Sequence, residues 1–170
     1  MANVDLSRVP EFYHQYINLV SSNDIKKAFH LHETDFLSVL ENLDSDKWEF
    51  RYAENKWSVK EVVQHVIDAE RIFCYRALCF ARKESRELPG FDENLYAKES
   101  KAERRTKKDL IEELSVVQKS SSALFNSFDD DQLALSGTAN GKSVYVAAIG
   151  YIIIGHTLHH KKILMEKYIK

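Results

Sequence analysis

The chain has 170 residues, of which 44% are hydrophobic, so it can bury a sizeable core and fits one domain better than two. Its 24 basic and 26 acidic residues are interspersed and give a net charge of −2. Because phosphate backbones select clustered basic residues, this balance argues against a nucleic-acid partner, and we expect a single domain over residues 1–170.

No segment resembles a membrane anchor or an export signal. The amino terminus lacks the apolar region of a signal peptide, and the longest apolar stretch, 144–155, is too short to span a bilayer. The two cysteines, Cys74 and Cys79, are five residues apart on a predicted helix, where a disulfide is geometrically awkward. We therefore expect a cytoplasmic protein with reduced thiols and no membrane contact.

The spacing of the apolar residues predicts an all-α chain. Only 5 Gly and 2 Pro occur, and apolar residues recur every three or four positions rather than every two. Four long helices account for this pattern. The first is predicted to begin near Pro10, to be interrupted at 21–24, and to continue with an apolar stripe from Ile25 to Leu43.

The second helix has the clearest start in the sequence. Ser58, with Glu61 three residues later, forms a capping-box pattern, and the predicted helix runs to about Glu84. Residues 85–105 are mostly polar and contain Leu-Pro-Gly-Phe-Asp, which indicates a long ordered crossover rather than a hairpin turn. Such a crossover would allow the second and third helices to lie parallel.

A weaker capping pattern begins the third helix. Thr106 is followed three residues later by Asp109, and the predicted helix ends near 129–131. A loop is predicted for 132–142, where small and polar residues interrupt the helical spacing.

The fourth helix is predicted to carry a metal site. Ser143 should cap it, and it should run from Val144 to about Tyr168, with its first half apolar on all sides. His156 and His160 are four residues apart, so they are separated by about 40° around the axis and about 6 Å along it. Two neutral imidazoles in this arrangement can be directed at one ion.

His159 is an alternative to His160. It follows His156 by three residues, which gives an offset of about 60° instead of about 40°, so His160 is the preferred ligand. His159 then lies about 100° away from His160, and we expect it to be partly exposed or to support the ligands from outside.

A third histidine, His65, lies at the edge of the apolar stripe of the second helix. A histidine in that position is more often a hydrogen-bonded core residue than a ligand, and spacing alone does not say which helix it faces. Glu61 and Asp68 could orient its free ring nitrogen, although solvated salt bridges explain them equally well. His32 interrupts the apolar stripe of the first helix, and it could approach the site or be a satisfied core histidine.

Five segments form a combined pattern that is more specific than any pair of histidines and spans almost the entire chain. They are Lys56–Glu61 (KWSVKE), His65–Arg71, Tyr75–Arg76, Leu88–Asp92 (LPGFD) and Gly150–His160. In this order they resemble the DinB-like superfamily of metal-dependent enzymes.

The resemblance implies a four-helix bundle with up-down-down-up connectivity and a long crossover between helices 2 and 3. It also implies one divalent metal ion held by one histidine of the second helix and two of the fourth, which match His65, His156 and His160. Characterised members of the family include S-transferases and an isomerase that use low-molecular-weight thiols such as bacillithiol, mycothiol or glutathione. Others are labelled hydrolases.

Three neutral ligands would leave the charge of the ion uncompensated and one coordination position open, as expected of a catalytic site. We therefore expect Zn²⁺ or Ni²⁺, with bound water or a bound thiolate as the group that attacks a small-molecule substrate. A thiol-dependent S-transferase and a hydrolase both suit this site, and a non-catalytic metal-binding or stress-response bundle is the alternative from another class. The aromatic-rich chain, with 9 Phe and 8 Tyr, and the habit of related proteins also predict a homodimer.

Overall fold

Helical segments that pack side by side make up most of the computed structural model, which describes residues 4–32 and 34–169. Within these ranges, no helix is long and apolar enough to cross a membrane. The α-helices are α1 (His14–Ile17), α2 (Ile25–His32), α3 (Asp35–Glu41), α4 (Val59–Ala81), α5 (Glu93–Glu99), α6 (Lys107–Asn126), α7 (Asp130–Ala134) and α8 (Val146–Ile163). Single 3-10 turns cover Leu6–Arg8, Glu11–Tyr13, Ser45–Glu49 and Ala102–Arg104, and a π-helical turn, Leu164–Tyr168, extends α8.

The first predicted helix is divided into shorter pieces. Pro10 precedes a 3-10 turn rather than beginning an α-helix, and α1 ends at Ile17. The predicted interruption at 21–24 is confirmed, because α2 begins only at Ile25. The Asp24 carboxylate accepts hydrogen bonds from two backbone N–H groups of the first turn of α2, at 2.9 and 3.1 Å, and so caps that helix.

A second break separates α2 from α3. The first helix ends at His32 and the next begins at Asp35, so the expectation of one continuous helical stripe as far as Leu43 is wrong. Phe29 of α2 and Phe36 of α3 are nevertheless both buried, so the two short helices present their apolar faces to the same bundle.

The second predicted long helix corresponds to α4, and it begins as the sequence predicts. The Ser58 hydroxyl accepts from the Glu61 N–H at 3.3 Å, and the Ser58 N–H donates to the Glu61 carboxylate at 2.7 Å. This reciprocal pair satisfies backbone groups that a helix start leaves unpaired. The helix ends at Ala81, before the predicted end at Glu84, and Lys83 adopts a left-handed φ of 62° that stops it.

The crossover between α4 and α6 is ordered, as predicted. It contains α5, and Leu88 joins it to a later part of the chain: its N–H donates to the Thr138 carbonyl at 2.9 Å, and its own carbonyl accepts from the Asn140 N–H at 3.0 Å. The predicted capping box of Thr106 and Asp109 begins α6. This helix ends at Asn126, before the predicted end near 129–131, where a separate short helix, α7, begins.

A β-hairpin replaces the predicted loop. Strands β1 (Ser136–Ala139) and β2 (Lys142–Tyr145) pair antiparallel. Asn140 and Gly141 form the turn with φ values of 51° and 68°, and positive φ at both positions is what an Asn-Gly pair favours in a two-residue hairpin. The hairpin is the departure from an all-α chain.

The hairpin also moves the start of the last helix. Ser143 lies within β2, so its prediction as a helix cap is wrong. Tyr145 occupies the cap position, but its side chain does not cap the helix through a hydrogen bond, and α8 begins at Val146 rather than Val144.

Contacts between side chains align α4 with α6. Arg71 forms an ion pair with Glu113 at 2.5 Å, and the Cys74 thiol donates to the Ser121 hydroxyl at 3.1 Å. Of these two contacts, the one that lies later in α4 also lies later in α6. Both cysteines are free thiols, as the sequence predicts.

Contacts near the ends of the bundle bring other segments together. The Tyr168 hydroxyl donates to the Trp57 carbonyl at 2.8 Å, so the end of the α8 segment lies at the start of α4. The Lys107 ammonium, at the start of α6, donates to the Leu43 carbonyl at 2.6 Å, just beyond the end of α3.

Two hydrophobic clusters fill the interior, and a polar layer lies where they meet. One cluster is built around α1, α2 and the first half of α8, and the other around α3, the first half of α4 and the π-helical turn. On α6 and α8, polar residues separate the members of one cluster from those of the other. The buried polar residues of this layer include His65, Glu70, Gln118, His156 and Thr157.

Candidate metal centre

Three histidine side chains from two helices converge in the polar layer. His65 comes from α4, and His156 and His160 come from successive turns of α8. The Nε2 atom of His156 lies 3.1 Å from that of His65 and 3.1 Å from that of His160. The three candidate ligand atoms all lie within 4.8 Å of one another.

The three imidazoles satisfy one another poorly. The Nε2 atom of His156 faces two other Nε2 atoms, but a ring nitrogen carries either one proton or one lone pair. It can therefore make one good hydrogen bond, not two. A cation at the centre would instead accept a lone pair from each ring.

Burial keeps the three rings neutral near pH 7. It lowers the pKa of His65 to about 4 and that of His160 to about 3, and the neighbouring histidines add to the effect at His160. The pKa of His156 is also lowered, first by burial and then by His160 and His65. Neutral imidazole is the form that coordinates a metal ion.

The separations of the nitrogens fit a single divalent ion. Zn–N distances of about 2.0–2.1 Å in a tetrahedral site place two ligand nitrogens roughly 3.3 Å apart. The two separations of 3.1 Å that involve His156 are close to this value. Nδ1 of His160 is buried and has no hydrogen-bond partner in the described part of the chain, so packing rather than a hydrogen bond holds that ring.

A glycine allows α1 to approach α8 beside the histidines. A Cβ atom at Gly155 would collide with the backbone carbonyl of Tyr16. The close approach places the Tyr16 ring edge-on to His156, with centroids 5.4 Å apart, and edge-on to His159 at 5.2 Å. Gly155, the residue before His156, therefore helps to shape the site.

A cavity of about 180 Å³ opens onto the three histidines. Its walls are mainly aromatic: the Trp57 ring packs on His65 with centroids 4.7 Å apart, and the Phe73 ring lies 6.4 Å from His156. Such walls favour a small ligand with apolar surface. The amino-terminal segment and the crossover complete the wall with Phe12, Tyr13, Tyr16 and Phe91.

Glu93, in the first turn of α5, adds a carboxylate to the wall of this cavity. The pKa of Tyr16 is raised by burial and then by the negative charge of Glu93. Burial likewise raises the pKa of Tyr13. Both hydroxyls therefore remain proton donors at neutral pH, and they lie in the same cavity wall as the Glu93 carboxylate.

Two carboxylates that the sequence placed near His65 have other partners. Glu61 belongs to the capping box and forms an ion pair with Arg51 at 2.5 Å. Asp68 accepts a hydrogen bond from the Gln64 amide at 3.0 Å, and burial raises its pKa.

The two remaining predicted neighbours lie in different places. His159 lines the cavity, with its ring edge-on to that of His160 at 5.2 Å. His32 lies elsewhere: its Nδ1 is 2.9 Å from the Asp35 carboxylate, and it lines a second cavity that none of the three clustered histidines lines.

Sequence reasoning missed most of the aromatic wall and Glu93. Phe12 and Tyr16 lie in a segment without a regular helical stripe, and Glu93 lies in the crossover. One signal was present, because Trp57 and Phe91 belong to the segments that resemble the DinB-like superfamily.

The sequence match and the fold now define the class of protein. A sequence model of the DinB superfamily matches residues 28–164, which include all three clustered histidines, and the protein belongs to that superfamily. No curated protein sequence matches the chain significantly.

Among solved structures, the fold is similar to that of YfiT from Bacillus subtilis, described as "a probable metal-dependent hydrolase with an unusual four-helix bundle topology". The TM-score is 0.73, with 17% sequence identity over 86% of this chain and 87% of that chain. At this identity the likeness establishes the fold alone, and it confirms the predicted four-helix bundle.

Proposed function

We propose that this protein is a metal-dependent enzyme in which His65, His156 and His160 hold one divalent ion, Zn²⁺ or Ni²⁺. The observation that carries the proposal is the convergence of three neutral imidazoles on one wall of an aromatic cavity. Structural zinc sites use four protein ligands, whereas three leave a position for a reacting group. Membership of the DinB superfamily and the description of YfiT as a probable metal-dependent hydrolase support it.

A bound divalent ion would supply a nucleophile at neutral pH, because it lowers the pKa of a coordinated thiol or water. The chain's own residues would prepare the reaction. The rings of Trp57 and Phe73 exclude water and bind the apolar part of a small substrate. The Tyr16 hydroxyl can donate a hydrogen bond to it, and the Glu93 carboxylate can take up a proton.

We propose a low-molecular-weight thiol as the nucleophile, which makes the protein an S-transferase for small electrophiles. The cavity has aromatic walls that suit an apolar electrophile, and no cysteine of the described residues lines it. Burial raises the pKa of the Cys74 thiol to about 12, so this residue is not a thiolate near pH 7. A sulfur nucleophile would therefore have to come from a cosubstrate.

Hydrolysis is the second candidate, and Glu93 is the observation that favours it. A carboxylate in the wall of the cavity can act as a general base toward water, without any thiol. The description of YfiT points in the same direction.

Co²⁺-substituted protein distinguishes the candidates. We expect bacillithiol or glutathione to shift the charge-transfer absorption, because sulfur enters the coordination sphere, and thiol transfer to a chloronitrobenzene to depend on the metal. His160→Ala should remove both effects, whereas His159→Ala should keep them. An unchanged spectrum together with thiol-independent ester or amide cleavage would favour the hydrolase. No spectral change and no turnover of either kind would contradict an enzyme and favour a non-catalytic bundle.

We also propose that the four long segments run up, down, down, up. Support comes from the contacts that align α4 with α6 in the same sense, and from those that bring the end of α8 to the start of α4 and the start of α6 to the end of α3. The free thiols support a reducing compartment, the cytoplasm, as the place where the protein works.

A further inference from the structure

A second, smaller cavity lies in the polar layer, apart from the three clustered histidines. Its volume is about 20 Å³, which is room for about one water molecule or one ion. Its lining includes residues of α2, α3, α4, α6 and α8, so all four segments of the bundle meet at it.

Three polar atoms at this cavity have no partner. His32 Nε2, Glu70 Oε2 and Gln118 Oε1 are buried and form no hydrogen bond within residues 4–32 and 34–169. Glu70 is 3% exposed and Gln118 is 8% exposed. A buried polar atom without a partner is destabilising, because it has lost its hydrogen bonds to water and gained none in the protein. Three such atoms come from three different helices and lie at one cavity, which indicates that the cavity holds a bound molecule or ion.

The contacts of His32 determine what its free nitrogen can do. Nδ1 lies 2.9 Å from Oδ2 of Asp35, and the Lys161 ammonium lies 3.9 Å from the same oxygen. Since a carboxylate accepts hydrogen bonds, Nδ1 carries the proton and, in the neutral ring, Nε2 carries a lone pair. A carboxylate that holds the far nitrogen of an imidazole is the arrangement that orients metal-bound histidines.

A water molecule would satisfy this cavity only if Glu70 were protonated. Water has two O–H groups, whereas the three unpartnered atoms are all acceptors when Glu70 is a carboxylate. One of them belongs to a carboxylate, and burial raises the pKa of Glu70 to about 7. A cation would satisfy all three atoms, because it accepts a lone pair from each of them. Its charge would also stabilise the ionised form of Glu70.

We propose that His32, Glu70 and Gln118 bind a divalent cation, at a buried site separate from the three-histidine site. One imidazole nitrogen, one carboxylate oxygen and one amide oxygen form a donor set suited to Zn²⁺ and neighbouring divalent ions. Because these ligands come from α2, α4 and α6, the ion would connect three helices across the polar layer.

The Zn²⁺ content of tag-free, full-length protein tests this site. We expect two equivalents per chain in the wild type and one in the His65→Ala, His160→Ala double variant. Adding Glu70→Gln or His32→Ala to that double variant should remove the remaining equivalent. Matched controls, Glu112→Gln and His30→Ala, change an exposed carboxylate on α6 and an exposed histidine on α2, and they should keep it.

Two results would overturn the proposal. One is a folded double variant that retains no Zn²⁺, with the fold checked by far-UV circular dichroism. The other is an unchanged Zn²⁺ content after Glu70→Gln, which would mean that a neutral carboxyl group and water fill the cavity. If the double variant does not fold, Glu70→Gln in the otherwise wild-type chain decides the matter, because it should lose one of two equivalents while the three-histidine site keeps its own.

Discussion

At the scale of single residues, the central choice is between His160 and His159. The Nε2 atoms of His160 and His156 lie 3.1 Å apart, whereas the His159 ring packs against Tyr16. We therefore expect His156→Ala or His160→Ala to lower the bound Zn²⁺ of tag-free protein by one equivalent, measured by mass spectrometry of the metal. His159→Ala should leave it unchanged, and an equal loss in that variant would contradict the assignment.

The sequence identifies the candidate histidines of the site, but not all of their surroundings. The spacing of His156 and His160 places them on one face of a helix, and that face is where the structure brings them together with His65. The sequence also allows His32 to approach this site, but His32 lies at another cavity. The register between two helices depends on packing across the whole bundle, and the period of a single helix does not contain it.

At the scale of elements, the contact between α1 and α8 depends on Gly155. We expect Gly155→Ala to destabilise the protein, although alanine in a helix normally gains about 0.5–1 kcal/mol over glycine. The added Cβ would collide with backbone of α1, and overpacking of this kind costs about 1–3 kcal/mol or more. Urea unfolding of the metal-free protein measures the difference.

Gly150→Ala is the matched control on the same helix. A Cβ atom there would meet the side chains of Ile25 and Phe125, which can rotate away more easily than backbone can move. It should therefore lose less stability than Gly155→Ala. If Gly155→Ala were as stable as the wild type, the close approach of α1 would not be a requirement of the site.

The two helix starts marked by a capping box were the most predictable elements, and the hairpin was the least. The capping boxes at Ser58 and Thr106 form because their hydrogen bonds are local, within four residues. Asn140-Gly141 is also a local signal, but the apolar run after it was assigned entirely to a helix. The first residues of that run lie in β2 instead, because the turn and the pairing of Leu88 with the hairpin stabilise the strand.

At the scale of the whole molecule, the buried histidines make stability depend on pH. Burial lowers the pKa of His65 to about 4, while an unfolded histidine titrates near 6.5. Between these values the unfolded chain binds a proton that the folded chain does not, so stability falls as the pH drops from about 6.5 to about 4. We expect metal-free protein to lose up to roughly 1.4 kcal/mol per pH unit from this residue.

Comparison of the wild type with His65→Asn isolates this contribution. Glu70, whose pKa is raised to about 7 by burial, contributes with the opposite sign, but it does so in both proteins. The variant should therefore have the smaller loss of stability between pH 6.5 and 4, measured by urea unfolding. Equal losses in the two proteins would contradict a depressed pKa at His65.

The homodimer stays a prediction from the aromatic-rich sequence and from related proteins. Several large apolar side chains lie on the surface, among them Phe12 and Val116, each 66% exposed. Sedimentation velocity at micromolar concentration should give the mass of two chains. A monomer alone under these conditions would make the prediction wrong.

Anomalous X-ray diffraction from Zn²⁺-loaded crystals tests whether one divalent ion lies between His65, His156 and His160. We expect an anomalous peak about 2.0–2.1 Å from all three Nε2 atoms, whose present separations around His156 are both 3.1 Å. If there were no peak at this position and the imidazoles were still in contact with one another, the three histidines would not be the ligands of a divalent ion.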